Sequence, residues 1–274
     1  MHIITCVKQV PDTTHVEVDR ETGTLQREGV ESVLNPHDAF AVEEALRLRE
    51  LYGGTVTALS MGPPQAEDVL RQVIAYGVDT AVLISGTEFA GSDTWATSLA
   101  LARAIETLPA AELIICGKQA VDGDTAHVGP ELAVHLDRPQ ATCVTAIREI
   151  LRGDQADHGP VESTDGHMIL ERITDTGSQV LRLPLPAVIT TVKDLNEPRL
   201  PNLKDLHRGR FADVRVLNAR DVAVKPDEVG LDGSPTRVVE ISSPPGERAG
   251  YLYEDDLDDG LDTIATKLES EGLL

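Results

Sequence analysis

Lysine is scarce in this sequence: six residues, against 46 aspartates and glutamates, with a formal net charge of −22. A field of that sign repels nucleic acid and anionic lipid, and no basic stripe offsets it, so DNA and RNA binding are excluded. Aromatic residues make up only 3%, which leaves the core to Val, Leu, Ile and Ala. Cysteine occurs three times, at Cys6, Cys116 and Cys143, each in an apolar run and none in a CxxC pair. Zinc ribbons, iron–sulfur ligation and a disulfide framework are therefore unsupported, and free thiols in a reducing cytosol are expected. No apolar run reaches the roughly 18 residues of a membrane span. The opening MHIITCVKQV has no charged start followed by an apolar stretch, so a secretory leader is not expected, and the cytoplasm is. P-loop, GxGxxG, HExxH and nucleophile-elbow patterns are all missing, which removes the commonest phosphate-transfer and hydrolase signatures.

What remains is an ordinary globular composition, 41% hydrophobic and 26% charged over 274 residues, long enough to bury a core without metal or disulfide support. Much of the acid is solvated surface. The run Glu254-Asp255-Asp256 with Asp258-Asp259 lacks the spaced ligands and central glycine of a calcium loop. High acid with little lysine fits either a high-salt habitat or an acidic cytosolic protein, and stability that rises with molar KCl would favour the first.

Short apolar runs alternate with amphipathic stretches over the first 145 residues. Ile3 to Val7 starts the series. Asn35-Pro36 opens a helix, with Asn as cap, Pro at the first helical position and Asp38 at the positive end of the dipole. Val42, Ala45 and Leu46 follow at helical spacing, Glu43 and Glu44 are placed outside, and Gly53-Gly54 ends the helix. Strands are expected at Thr55–Ser60, Val78–Ser85, Glu112–Cys116 and from Pro139 through Cys143. Helices start at Pro63-Pro64, at Ser92 or Asp93, and at Val128. This order predicts an α/β fold, a Rossmann-like doubly wound and mainly parallel sheet whose ligand lies beyond the carboxyl ends of its strands. A β-hairpin follows at Ile169–Ile173 and Gln179–Leu183, then a strand at Ala187–Val192. After Asn196 periodicity fades and prolines accumulate until a last helix at Leu257–Glu269. A long irregular segment of this kind points to function or a partner. The expected division is a nucleotide-binding domain at 1–195 and a C-terminal arm at 196–274 that wraps another polypeptide. Trp95 and Phe40 are expected in the core.

The loop GKQAVDGDTAHVGP, Gly117 to Pro130, leaves a buried strand and enters a helix. Gly117, Gly123 and Gly129 let the backbone approach a ligand closely. Successive N–H groups and the helix N-terminus make a phosphate seat, and Thr125 adds a hydroxyl. Asp122 and Asp124 repel phosphate, so they either bond ribose hydroxyls or order the loop. The plainer reading is a glycine-rich turn with Asp and Thr as helix caps. His127 beside these acids has no second histidine at ligand spacing, so no metal site is expected.

Several stretches together resemble the β subunit of electron transfer flavoproteins. They are Val7-Lys8-Gln9-Val10-Pro11-Asp12, Asn35-Pro36-His37-Asp38 leading into AVEEALRL, Ser60-Met61-Gly62-Pro63, the Gly117–Pro130 loop, Leu195-Asn196-Glu197-Pro198-Arg199, and the late GSPTRV and PPGERAG. They occur in the family's order over nearly the whole chain. The resemblance implies a heterodimer with a larger α subunit that holds the redox FAD, and an adenine nucleotide in this subunit. By position, the nucleotide contacts would be Cys6, Asn35, Pro36, His37, Asp38, Met61, Gly117, Lys118, Gln119, Ala120, Val121, Asp122, Gly123, Asp124, Thr125, Ala126, His127 and Val128. Leu203 takes the place of the apolar anchor that docks on partner dehydrogenases, followed here by His207-Arg208-Gly209-Arg210 rather than a lysine-rich run. The implied function is electron transfer between dehydrogenases and a quinone oxidoreductase or other acceptor, without independent catalysis. The loop from Asp122 to Pro130 is similar to the subgroup with FAD in the β subunit, which bifurcates electrons from NADH. Simple carriers with AMP there are the alternative, and Gly123 and Ala126 leave room for the larger ligand. A reading from another class is a stand-alone ATP-binding signalling module, which would be a homodimer without the arm. A hydrolase using Asp122 or Asp124 with Mg²⁺ lacks an accompanying lysine or second ligand set.

Overall fold

A computed structural model of the chain describes residues 1–12, 32–151, 166–239 and 257–273. Among these, residues 1–12, 32–151 and 166–238 belong to one compact unit, and 239 and 257–273 to a second. The acidic run Glu254 to Asp256 lies outside the described residues.

The first unit is built on a nine-stranded sheet. Strand β1 is His2–Cys6, buried on both sides: Ile3 packs in one core cluster and Ile4 and Cys6 in the other. That double burial is why it reads as an unbroken apolar run. A small antiparallel ribbon follows, β2 (Gln9–Pro11) with β3 (Ser32–Leu34). Helix α1 (Pro36–Tyr52) starts on the expected Asn35-Pro36 signal. Then come β4 (Thr55–Met61), α2 (Glu67–Tyr76), β5 (Thr80–Ile84), α3 (Thr94–Glu106), β6 (Leu113–Gly117) and α4 (Val128–His135). Asp93, rather than Ser92, caps α3, its Oδ1 accepting the Ala96 N–H at 3.1 Å.

Strand β7 (Gln140–Leu151), the hairpin β8 (His167–Thr174) and β9 (Gly177–Pro184), and β10 (Ala187–Thr191) complete one side of the sheet. The segment after Asn196 is more regular than expected up to residue 238. It forms helix α5 (Leu203–Arg210) and strand β11 (Arg215–Leu217), which pairs with β5. Gly209 explains how so polar a helix packs: a Cβ there would lie 2.5 Å from the Arg71 carbonyl oxygen of α2. The strand order is β11-β5-β4-β1-β6-β10-β7-β8-β9, parallel except for the hairpin strands β8 and β9. The Rossmann-like, doubly wound and mainly parallel fold is therefore present. The chain runs outward from β1 to β4 and β5, then returns to β6 on the other flank of β1. This reversal opens a crevice at the carboxyl ends of β1 and β6.

Two expectations about single residues are corrected. Glu43 and Glu44 are buried, not outside, because Arg199 and Asn196 reach over α1 to bond them. Trp95 is 41% exposed, its ring lying 4.3 Å from that of His135 instead of filling the core. In the second unit, α6 (Leu257–Ser270) carries exposed Leu257, Leu261 and Ile264 at helical spacing.

Candidate functional site

A cavity of about 580 Å³ opens at this crevice. Its floor is the ends of β1, β4 and β6, where Cys6, Met61 and Cys116 line it. Cys6 and Cys116 are direct partners across the β1–β6 register. Burial and the Cys6 thiol keep Cys116 protonated: the Cys6 hydrogen bond pushes it up first and burial adds to this.

One wall is the loop between β6 and α4. Asn35, 1% exposed, holds this loop with both ends of its amide: Nδ2 donates to the Gln119 carbonyl at 2.9 Å and Oδ1 accepts the Val121 N–H at 3.2 Å. Gln119 in turn donates to Asp124 Oδ1, and the Asp124 N–H closes on the Ala120 carbonyl at 2.8 Å. Two non-glycine residues here have positive φ, Asp124 at 53° and Ala126 at 57°. Such backbone is costly for a side-chain-bearing residue and clusters at functional sites. Ala126, left-handed, is followed by His127 in the right-handed region, φ −94° and ψ −31°, directly before α4. Adjacent left- and right-handed residues turn successive N–H groups to one side, a concave anion seat that the first turn of α4 extends.

Asp38, on the first turn of α1, ties the two strand ends together. Its Oδ2 accepts the Lys8 N–H at 2.8 Å, and Asn35 and the Gly117 N–H also donate to the carboxyl. Burial outweighs these bonds and lifts its pKa to about 7. Gly117 is required by this contact, since a methyl group there would lie 2.3 Å from Asp38 Oδ1 and 2.7 Å from the His37 carbonyl carbon. Gly117→Ala is therefore expected to cost about 1–2 kcal/mol. Gly123→Ala, where an added methyl meets nothing within 4 Å, is expected to cost less; paired thermal melts check this, and equal losses would refute it.

The positions carried over by resemblance divide. Cys6, Asn35, Asp38, Met61, Gly117, Lys118, Gln119, Ala120, Gly123, Thr125, Ala126, His127 and Val128 line the cavity; Pro36, His37, Val121, Asp122 and Asp124 do not. Val121 and Asp124 act within the loop, and Asp122 accepts both of its bonds from Lys8 Nζ at 2.8 Å. His37 is half-buried: burial lowers its pKa first, Lys118 adds to this, and Asp124 opposes it.

Sequence reasoning missed the opposite wall, where Thr94, Thr97 and Leu101 of α3 and the distant Thr236 line the cavity. Thr236 donates from its N–H and its hydroxyl to Asp93 Oδ2 at 2.9 and 2.8 Å. Burial pushes the Asp93 carboxyl up, but the bonds from the Ala96 N–H and Thr236 outweigh it and hold the group below its ordinary value. The GSPTRV motif was the available signal for this wall. Among the described residues, no three His, Cys, Asp or Glu side chains converge as a metal site. Leu203 is the first residue of α5 and 86% exposed, beside exposed Leu200 and Leu206.

Residues 22–222 match the electron transfer flavoprotein domain family. The chain is 42% identical over its whole length to an electron transfer flavoprotein subunit beta of Thermoanaerobacterium thermosaccharolyticum, which it also covers entirely. It is 40% identical over 253 residues, 92% of this chain and 91% of the relative, to the caffeyl-CoA reductase-Etf complex subunit CarD of Acetobacterium woodii. It is 42% identical over 249 residues, 89% of this chain and 85% of the relative, to protein FixA of Azorhizobium caulinodans.

Proposed function

The chain belongs to the electron transfer flavoprotein family and is a β-type subunit, and from that premise we propose that the cavity at the β1–β6 crevice holds FAD. The observation that carries this reading is the Ala126–His127 turn at the start of α4, an anion seat placed where a doubly wound sheet binds nucleotides. The donor set fits a flavin dinucleotide. N–H groups and Thr125 suit phosphate, the apolar floor of Cys6 and Met61 with Leu101 of the opposite wall suits a ring system, and the open space around Gly123 admits a ligand larger than AMP. Bound there, FAD would give this subunit its own centre for one- and two-electron chemistry. The chain's residues would bind it, orient it through the loop that Asn35 holds, and keep water from its buried side.

The partner is an α subunit with a second FAD. Residues 1–195 supply the nucleotide-binding part and residues 196–274 the docking part, of which Thr236 also reaches the cavity. The exposed apolar stripe of α6 fits an arm laid on that subunit, and Leu203 with Leu200 and Leu206 fits transient docking of a dehydrogenase. The likeness to a subunit of a caffeyl-CoA reductase complex favours electron bifurcation over simple carriage, with an acyl-CoA reductase or a quinone oxidoreductase as acceptor. No described helix is long and apolar enough to cross a membrane, and the complex works in the cytoplasm.

Purifying the chain with its α partner, denaturing it and identifying the released nucleotides by mass tests the reading. Two FAD per heterodimer is the expected result. One FAD plus one AMP would replace bifurcation with the simple carrier, and no adenine nucleotide would refute the site itself.

A further inference from the structure

Two of the chain's six lysines line this one cavity, although nothing in the acidic surface favours their gathering. Each lies two residues beyond a member of the registered pair Cys6 and Cys116. Lys8 and Lys118 therefore leave neighbouring strands side by side, one on each flank of the crevice. The resemblance assigned Lys118 to the nucleotide and left Lys8 without a role.

The backbone of Lys8 is fixed. Its N–H donates to Asp38 at 2.8 Å and its carbonyl accepts the Asn35 N–H at 2.9 Å. Among the described residues its ammonium is held by Asp122, an ion pair in which the Lys8 side chain is 48% exposed. Exposed pairs of this kind contribute little and are easily exchanged for a better anion. Asp122 stands outside the cavity while Lys8 lines it, so a phosphate in the cavity competes with Asp122 for the same ammonium. The loop already offers one anion seat, at Ala126 to Gly129. Lys8 enters from β1, a different element, and so provides a second point of positive charge.

Resting on the nucleotide reading above, we propose that Lys8 is the ligand for a second phosphate, exchanging Asp122 for it and making the cavity selective for diphosphate-linked adenine nucleotides over AMP. A lysine suits this role as a point charge on a flexible stem, able to move while its backbone stays fixed.

The test titrates the full-length chain, freed of nucleotide, with AMP, ADP and FAD by calorimetry, for the wild type, Lys8→Gln and Asp122→Asn. Lys8→Gln is expected to weaken ADP and FAD about tenfold and AMP less than about twofold, the size of one charge-assisted phosphate bond. Asp122→Asn frees the ammonium and is expected to tighten ADP and FAD while leaving AMP unchanged. Comparing AMP with FAD separates placement from total charge, because both carry about two negative charges at neutral pH. Unselective losses, or none, would overturn the role of Lys8 while leaving the nucleotide site intact. Selective loss for ADP without any FAD binding would support Lys8 and refute the flavin reading. A wild type that binds no adenine nucleotide would overturn both.

Discussion

Replacing Arg199 by Ala is expected to destabilise the chain by about 3 kcal/mol, with a fall in melting temperature of roughly 6–10 °C for a protein of this size. The guanidinium makes two forked contacts. Nε and Nη2 donate to Glu43 at 2.8 and 3.0 Å, and Nη1 and Nη2 to Glu50 at 2.5 and 3.3 Å. The Arg199 N–H adds a third bond to Glu43 at 3.1 Å. Glu43 is the member that sets the magnitude, since its side chain is only 8% exposed. Without arginine its carboxylate stays buried and uncompensated, and that penalty exceeds the value of the contacts themselves. Glu50 is exposed and contributes little, though Arg199 bonds hold its carboxyl below the ordinary value. Adding Glu43→Gln to the alanine variant should therefore restore at least about 1 kcal/mol, because it removes the stranded charge. Arg199→Lys should recover less than half, since one ammonium cannot reproduce two planar forks. Urea unfolding of the three variants decides. Losses within about 0.5 kcal/mol of wild type would show that water replaces the guanidinium at Glu43 without penalty. The same residue stands four positions before Leu203, so a loosened tether should also weaken docking through α5.

The history of Glu43 shows where sequence reading stops. Its position on α1 was legible, because Asn35-Pro36 and Gly53-Gly54 bracket the helix by local rules. Its burial was not, because the element that covers it lies more than 150 residues away and has no period of its own. The parallel strands were legible for the opposite reason: burial on both faces writes itself as a continuous apolar run. Strand β7 ran eight residues past its expected end at Cys143, where φ is 57° and the pairing with β10 shifts register. A bulge breaks the alternation on which a strand is recognised. Helix α5 was missed because its hydrophobic content is low and its Gly209 reads as a breaker, while the structure uses that glycine for close approach to α2.

The candidate site was half legible. The loop and the strand ends follow from the rule that places ligands at the carboxyl edge of such a sheet. The roles within them do not. Asn35 was expected as a contact, and besides lining the cavity it has both ends of its amide bonded to the loop. Asp122 and Asp124 were recognised as poor phosphate neighbours, and the structure gives each another bond, to Lys8 and to Gln119. Thr236 stands in the GSPTRV motif, but no periodicity placed that motif at the cavity, since it reaches α3 from more than 140 residues away.

Asp38 carries the second large expectation: stability should fall as pH rises from 5 to 8 by about 3 kcal/mol more in the wild type than in Asp38→Asn. The sign follows from burial. The folded group titrates at about 7 instead of its ordinary 3.8, so between those values the folded chain keeps a proton that the unfolded chain releases. The contribution is fully present below about pH 4, declines through the interval and is gone above about pH 7, a total of about 4 kcal/mol. His37 and His135 act in the opposite sense. Burial is the first cause lowering both, so their contribution is lost as pH falls through 6.5, and only the difference between the two proteins isolates Asp38. An asparagine cannot titrate, but it turns an NH₂ group toward donors that now meet oxygen, so the variant should be the less stable of the two at pH 5. Thermal or urea unfolding at half-unit pH steps reads both effects. Parallel curves for the two proteins would mean that the carboxylate is solvated enough to stay ionised, and that it ties β1 to β6 as a permanent charge. A converging pair would mean that the two strand ends bordering the proposed nucleotide seat are joined by a group that changes charge near neutral pH. Nucleotide affinity should then change over the same pH interval in the wild type and stay flat in Asp38→Asn.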